Sequence, residues 1–335
     1  MDQPIDEEAE QIARLVAESR AVIKSPVSNL PQRHRDVFER ALRRVLSTDL
    51  AQVTYAQIID GFPVVNVAED MRGWGIDPDH PVFRDNHDKL CPGAWERLTE
   101  FRDSFDIDVL SMDERLLHSY ATAAADSLAF ETRLIEIIAV ALHQLAVILY
   151  NLGDLGVHDE WKSWRPPNRY VGSDYWPDPE PFATLFFVYE FEEHLQYPEG
   201  IADMVGYWAE NRILGGVVLF DRGESGNECR EVYFHSCRAN VTVRIYALTS
   251  GQKERLWTFL LSDGSGVETN VLLILGDSKN RVRIDTEHAI PMFHVYRDKW
   301  ERKVMTEWEA SLARRDYMEP IDYPEIEDYR DGEGS

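Results

Sequence analysis

The chain has 335 residues, of which 44% are hydrophobic and 11% aromatic, a composition typical of a folded protein with a sizeable core. Its formal net charge of −25 disfavours binding to nucleic acid and to anionic membranes, because such binding usually requires a basic surface. The cysteines, Cys91, Cys229 and Cys237, are too few for a disulfide framework and indicate a reducing compartment.

No targeting or membrane segment is predicted. Residues 1–15 are acidic and polar, without the apolar stretch of a secretory signal. The most apolar run, residues 134–150, is too short and too polar for a membrane span. The sequence therefore predicts a soluble cytoplasmic protein, with a nuclear location as the alternative.

The first part of the chain predicts helices over residues 6–22 and 32–47. In the second helix, apolar residues at helical spacing are surrounded by five arginines. Asp36 and Glu39 interrupt the basic run, which favours a solvated helix face over a nucleic-acid-binding one. Residues 60–93, rich in Gly, Pro and Asp, are predicted as a long ordered loop.

The pattern is helical again from residue 94 to 152. Its segment 128–151 is apolar almost all the way round, which is typical of a helix at the centre of a bundle or at an oligomer interface. Glu136 and His143 are seven residues apart and therefore share one face of this helix. We interpret that face as the solvent-exposed stripe, and a buried acid–base pair is the alternative.

A boundary is predicted at residues 165–181, which hold five of the 16 prolines and several aromatic residues. It separates a mainly helical region, residues 1–164, from a mixed α/β domain, residues 182–315. Residues 316–335 carry eight acids and one base and are predicted to be a disordered tail. The predicted fold class is α+β, with a helical N-terminal half and a mixed α/β C-terminal domain.

Within the mixed domain the predicted core order is α-β-β-β-α-β, followed by β-α. Thr249 and Gln252 have capping-box spacing and support a helix start at residue 250. The predicted elements are a strand at 183–191, a helix at 200–213, strands at 214–221, 230–236 and 241–247, a helix at 250–262, strands at 269–276 and 280–285, and a helix at 294–315.

This order resembles the core of the PD-(D/E)xK nuclease fold. The resemblance implies that Asp221 and Glu231 hold Mg²⁺ for phosphodiester cleavage, with Glu210 as an accessory acid. Three features depart from the family. Tyr233 stands where the family has a lysine, the two acids fall on the first and second strands instead of the second and third, and Glu210 lies opposite the core face of its helix.

The favoured interpretation of Asp221 is therefore structural, as a solvated pair with Arg222 at a strand end. The register of the hairpin 214–236 decides whether Asp221 and Glu231 converge, and the sequence leaves that register open.

Other site signatures are weaker. Cys229, His235 and Cys237 cluster on one hairpin, but a zinc site would need a fourth ligand. No P-loop, dinucleotide fingerprint or nucleophile elbow is present. We assign no metal ligands in the sequence beyond the nuclease-like pair, and the cofactor is unknown.

Three segments carry a second resemblance: "YWPDPEPFATLFFVYEF", "GIADMVGYWAENRILGGVVLFDRG" and "LTSGQKERLWTFLLSD". Across residues 170–263 the chain resembles a group of uncharacterised proteins from filamentous fungi. The resemblance implies a similar fold and an intracellular fungal setting, and it transfers no site residues.

The leading hypothesis is a non-catalytic binding or scaffold protein, whose partner is another protein or a second copy of the chain. Membrane and nucleic-acid partners are not expected. The alternative is a metal-dependent hydrolase of the phosphodiesterase or nuclease type, with Asp221 and Glu231 as its catalytic residues.

Overall fold

The computed structural model describes residues 4–70, 76–125, 127–166, 182–238, 240–262, 271–303, 305, 308 and 321–324. The fold is α+β, as predicted: a helical N-terminal region is followed by a five-stranded antiparallel sheet with interspersed helices. Most of the predicted boundary segment 165–181 lies outside the described residues.

The helical region is built around one long helix and includes a two-stranded sheet. The predicted loop 60–93 contains two short helices. The helices are α1 Pro4–Arg20, α2 Gln32–Leu46, α3 Asp49–Asp60, α4 Val65–Glu69, α5 Pro81–Arg84, α6 Ala94–Ser104, α7 Glu114–Thr122, α8 Leu128–Asn151 and α9 Asp159–Lys162, and β1 Lys24–Pro26 pairs with β2 Ser111–Asp113.

Helix α8 has the bounds that the sequence predicts and lies at the centre of the helical region. The Ser127 side chain accepts a hydrogen bond from the Phe130 N–H and caps its N-terminus. The helix packs against α2, α3, α7 and α10 (Ile201–Leu214). It is long and apolar enough to cross a membrane by composition, and 72% of its most apolar window is buried inside the protein.

The C-terminal region adds a curled sheet whose strand order is β6-β5-β4-β3-β7, with every neighbouring pair antiparallel. The Thr249–Gln252 capping box is present and confirms the predicted helix start. After α10 come β3 Val217–Asp221, β4 Val232–His235, β5 Ile245–Ala247, α11 Ser250–Leu261, β6 Arg283–Ile284, α12 Thr286–Ala289 and β7 Val295–Tyr296.

The strand predicted at 183–191 is not formed. Residues 182–200 consist of turns and irregular chain. Phe186, Phe187 and Phe191 are nevertheless fully buried, so the apolar run reflects their packing in the core and not a place in the sheet. A short apolar run does not distinguish these two cases.

Two further elements differ from the prediction. Residues 271–276 form no strand, and the Leu273 and Ile274 N–H groups donate to the last carbonyls of α10. The helix predicted from residue 294 does not begin there, because Val295 and Tyr296 pair with the end of β3. Of the predicted disordered tail, residues 321–324 are described, and Asp322 is buried against the protein.

Candidate metal centre

Four side chains with metal-ligating atoms converge in the helical region: Asp60, His87, Cys91 and His158. Their ligand atoms all lie within 4.8 Å of one another. Together they offer one carboxylate oxygen, two imidazole nitrogens and one sulfur, which are the ligand types that Zn²⁺ takes in proteins.

The four residues come from separate elements. Asp60 is the last residue of α3, and His87 follows α5. Cys91 lies three residues before α6, and His158 is the N-cap residue of α9. The cluster therefore joins the end of α3 to the starts of α6 and α9.

A close approach of two chain segments brings His158 to this point. Gly61 ends α3 with a φ of 104°, and a Cβ at this position would lie 2.8 Å from the Asp154 Oδ2 atom. The Leu155 N–H donates to the Ile59 carbonyl at 2.9 Å. Glycine is required here for its backbone conformation and for the space, and it lets the chain after α8 pack against the end of α3.

The inner half of the cluster is buried. Asp60 Oδ2 and His87 Nε2 are 2.9 Å apart, and their side chains are 0% and 5% exposed. That distance suits an ion pair, but the ring N–H does not point at the oxygen, and neither atom has a hydrogen-bond partner. A misaligned N–H contributes little to a hydrogen bond. A buried polar atom is nearly always satisfied, and a shared cation would satisfy both.

The other two side chains of the cluster, Cys91 and His158, are partly buried. Cys91 Sγ lies 3.1 Å from His158 Nε2. The Trp161 ring stacks on the His158 imidazole with 3.8 Å between centroids, which fixes the plane of the imidazole. Asp60 Oδ1 accepts the Cys91 N–H at 3.1 Å, so the other carboxylate oxygen is the one that faces the cluster.

The pKa shifts in the cluster oppose the charged forms. Burial, together with a hydrogen bond to the Asp60 carboxylate and the charge of that carboxylate, raises the pKa of the Cys91 thiol to about 11. Burial lowers the pKa of His158, and the neighbouring His87 lowers it further. A divalent cation favours the thiolate and the neutral imidazole, which are the forms that bind metal.

The nuclease-like pair lies elsewhere, at the end of the β3–β4 hairpin. The Asp221 N–H donates to the Glu231 carbonyl at 3.1 Å, so the two residues are cross-strand neighbours just beyond the last register pair, Phe220 and Val232. Asp221 Oδ1 accepts the Gly223 N–H at 2.8 Å. Both Glu231 oxygens accept from the Lys253 ammonium, at 2.7 and 3.0 Å.

Arg222 does not form the predicted solvated pair with Asp221. Its side chain is buried, and its guanidinium lies 2.6 Å from a Glu136 carboxylate oxygen. Glu136 also pairs with Arg133 at 2.6 Å. The end of β3 is therefore tied to α8 by a buried ion pair.

The prediction that Glu210 points away from the core is wrong. Glu210 is fully buried, because α10 is covered by α3, α8 and β3. One carboxylate oxygen accepts the Val218 N–H, and the other accepts from Arg297, each at 2.5 Å. A helical wheel gives the direction of a side chain but does not show which other elements pack against that side of the helix.

The predicted exposed stripe of α8 is also wrong, since Glu136 and His143 are 3% and 7% exposed. They do not pair with each other. His143 Nε2 donates to Asp203 at 2.9 Å, because its Nδ1 faces the Arg297 guanidinium at 3.3 Å and must accept. A Cβ at position 206 would lie 2.5 Å from the imidazole, so Gly206 makes room for it.

The hairpin cysteines do not form a metal group among the described residues. His235 Nε2 lies 3.1 Å from Cys237 Sγ, whereas Cys229 contacts Glu136. Sequence reasoning missed the cluster in the helical region. Its one local signal is the His87-x₃-Cys91 spacing within the predicted loop.

No protein-family model, curated protein or solved structure matches this chain. The resemblances to fungal proteins and to the nuclease fold stay predictions, and the geometry of the residues themselves is the basis for a functional assignment.

Proposed function

We propose that this chain is a non-catalytic scaffold protein that binds one Zn²⁺ through Asp60, His87, Cys91 and His158. The observation that carries the proposal is the buried contact of Asp60 Oδ2 with His87 Nε2, two ligand atoms 2.9 Å apart with no hydrogen-bond partner. Four protein ligands fill a tetrahedral coordination sphere, which is the pattern of a structural zinc site. Catalytic zinc sites keep one position for water.

The mixture of ligands selects zinc over the hard cations. Mg²⁺ and Ca²⁺ prefer all-oxygen sites, whereas Zn²⁺ takes sulfur and nitrogen. Zinc bonds of about 2.0–2.3 Å place tetrahedral ligand atoms about 3.3–3.7 Å apart. The 2.9 and 3.1 Å contacts need only small outward shifts to reach that spacing. One thiolate and one carboxylate also balance the charge of the cation.

A zinc ion here would fix the segments that carry exposed apolar side chains. Trp95, Leu152 and Val157 are 43%, 57% and 50% exposed, and each lies within six residues of a proposed ligand. Aromatic and aliphatic side chains held on rigid segments suit a protein-binding surface. A protein partner or a second copy of the chain remains the proposed partner.

The test is the zinc content and melting temperature of the purified chain with and without a strong chelator. We expect one zinc per chain and a lower melting temperature after chelation, because a ligand of the folded state stabilises it by mass action. Cys91→Ser should lose both effects. Cys229→Ser, a change of another partly buried cysteine, should retain them. A wild-type chain that neither contains nor responds to zinc would exclude the proposal.

The metal-dependent hydrolase remains a second candidate, favoured by one observation. A backbone hydrogen bond holds Asp221 and Glu231 next to each other, as ligands of one Mg²⁺ must be. The Lys253 ammonium on Glu231 argues against it, since it already compensates that carboxylate. A rise in melting temperature with Mg²⁺ or Mn²⁺ that Asp221→Ala abolishes would support the hydrolase, and no rise would reject it.

A further inference from the structure

A short piece of the acidic tail is bound at the edge of the sheet, next to β5 and β6. Asp322 is 3% exposed. Its Oδ1 accepts from the Thr242 hydroxyl at 2.9 Å and from the Val243 N–H at 3.0 Å. A buried carboxylate held by a hydroxyl and a backbone N–H is a specific contact, because an amide or apolar side chain would lose the charge-assisted bonds.

Arginines hold the backbone on both sides of this aspartate. Arg283 donates to the carbonyls of Ile321 and Asp322, and Arg281 donates to the Pro324 carbonyl at 3.1 Å. Three of the four described residues of this segment, Ile321, Asp322 and Pro324, are therefore bound through their carbonyls, without forming a helix or a strand.

The tyrosine of the segment has its own contacts. The Arg244 guanidinium lies 4.3 Å from the centre of the Tyr323 ring, within the range of a cation–π interaction. The Tyr323 hydroxyl donates to Asp285 Oδ1 at 3.3 Å, and Arg244 pairs with the same carboxylate at 2.7 Å. The ring is thus held at its face and at its hydroxyl.

These contacts define what we call the tail-binding surface: Thr242, Val243, Arg244, Arg281, Arg283 and Asp285. It combines two donors for one carboxylate, a guanidinium over one aromatic ring and further donors for the carbonyls of a turn. That combination is characteristic of surfaces that recognise short linear peptides. It is also locally basic in a chain whose net charge is −25, which favours an acidic ligand.

We propose that the tail-binding surface is a binding site for acidic peptides containing Asp-Tyr-Pro in a partner protein, and that the chain's own Asp322-Tyr323-Pro324 occupies it in cis. The proposal goes beyond zinc binding, because it uses none of the metal ligands. A tethered segment acts as a competitor at high effective concentration. The partner must therefore displace the tail, and the free chain is autoinhibited.

The experiment measures binding of a fluorescent peptide, YMEPIDYPEIED (residues 317–328), to full-length chains by anisotropy. Asp322→Ala removes the cis carboxylate and opens the surface. We expect the peptide to bind this variant at least about tenfold more tightly than wild type, since the tethered competitor is weakened. Asp328→Ala makes the same change of charge outside the docked residues and should match wild type.

Two further variants keep the test decisive. Tyr323→Ala weakens docking of the tail by removing the ring contacts with Arg244 and Asp285. The test therefore does not depend on the folding of the Asp322→Ala chain alone. Adding Arg244→Ala to either opened chain should abolish binding, as should a peptide carrying the Asp322→Ala change. Equal binding to wild type and to both opened chains, or no binding to either opened chain, would overturn the proposal. A wild-type dimer that Asp322→Ala dissociates would overturn docking in cis.

Discussion

The molecule contains two buried polar clusters that differ in how their charges are compensated. Between α8, α10 and β7, Glu210 faces Arg297, and Glu136 faces Arg133 and Arg222. In the candidate metal centre, by contrast, no arginine or lysine pairs with Asp60 in the part of the chain that the structure describes. Both clusters contain histidine and carboxylate, so residue type does not separate them.

The difference indicates which of the two clusters would gain from a bound cation. Carboxylates paired with arginine are compensated within the fold, and such pairs persist in a buried environment because every charge has a partner. Asp60 has the His87 imidazole 2.9 Å away but no arginine or lysine partner among the described residues, so a bound cation would balance its charge. A buried carboxylate without a guanidinium or ammonium partner is therefore the more informative sign of a binding site.

The largest effect is expected in the cluster between α8, α10 and β7, where buried carboxylates pair with arginines. Glu210→Ala leaves the Arg297 guanidinium buried without its carboxylate, and we expect a loss of about 3–5 kcal/mol, with or without zinc. Glu39→Ala breaks the half-exposed pair with Arg43 and should cost less than about 1 kcal/mol. The midpoint of urea unfolding measures both, and similar costs for the two variants would contradict the comparison.

A change at Asp60 should depend on the metal. Asp60→Asn keeps the shape of the side chain but weakens zinc binding, and we expect a cost of about 3 kcal/mol at saturating zinc. After chelation the cost should vanish, because without the metal the change removes a buried charge that no described arginine or lysine pairs with. Urea unfolding of the loaded and chelated chains tests this. A cost that is the same in both states would make Asp60 a structural residue.

Gly206 tests how tightly the side chains around His143 are packed. Gly206→Ala places a methyl group 2.5 Å from the His143 ring, and we expect a cost of about 1–3 kcal/mol as the imidazole is displaced from Asp203. Gly251→Ala, in α11, meets nothing within 4 Å and should be neutral or slightly stabilising. Thermal unfolding compares them, and equal shifts would mean that the packing around His143 is loose.

The smallest effect is expected at Glu192, whose carboxyl group keeps its proton to a higher pH in the folded chain. Burial, with the charges of Glu193 and Glu190, raises the pKa of Glu192 from its ordinary 4.5 to about 7. The folded chain therefore keeps a proton that the unfolded chain releases, and the stabilisation present at low pH is lost as the pH rises from about 4.5 to 7. The partial exposure of this group limits the effect to less than about 1 kcal/mol.

The measurement for this group is the melting temperature of wild type and Glu192→Gln between pH 5 and 7.5. The variant should lose less stability than wild type as the pH rises. Parallel profiles would show that Glu192 is ionised in the folded chain throughout this range.

Much of the fold was predictable because its signals are local. The apolar pattern predicted both ends of α8, and the capping-box spacing of Thr249 and Gln252 predicted the start of α11. Strand β7 carries no such signal, since it has two residues and exists through its pairing with Phe220 and Asp221.

The candidate site was not predictable, because its contacts are long-range. His87 and Cys91 are close in sequence, but Asp60 and His158 are distant from them and from each other. The burial of Glu136 and His143 was missed for the same reason, since Arg222 and Asp203 lie on elements beyond the predicted boundary.

The order of the four proposed ligands along the chain has a consequence for biosynthesis. A ribosome releases Asp60, His87 and Cys91 first, then all 24 residues of α8, and only then His158. Zinc could meet three ligands early, but its coordination closes only after α8 has been made. The helical region would therefore complete its fold in one step, late in synthesis. A fragment ending at Asn151 would bind zinc with one coordination position open to water.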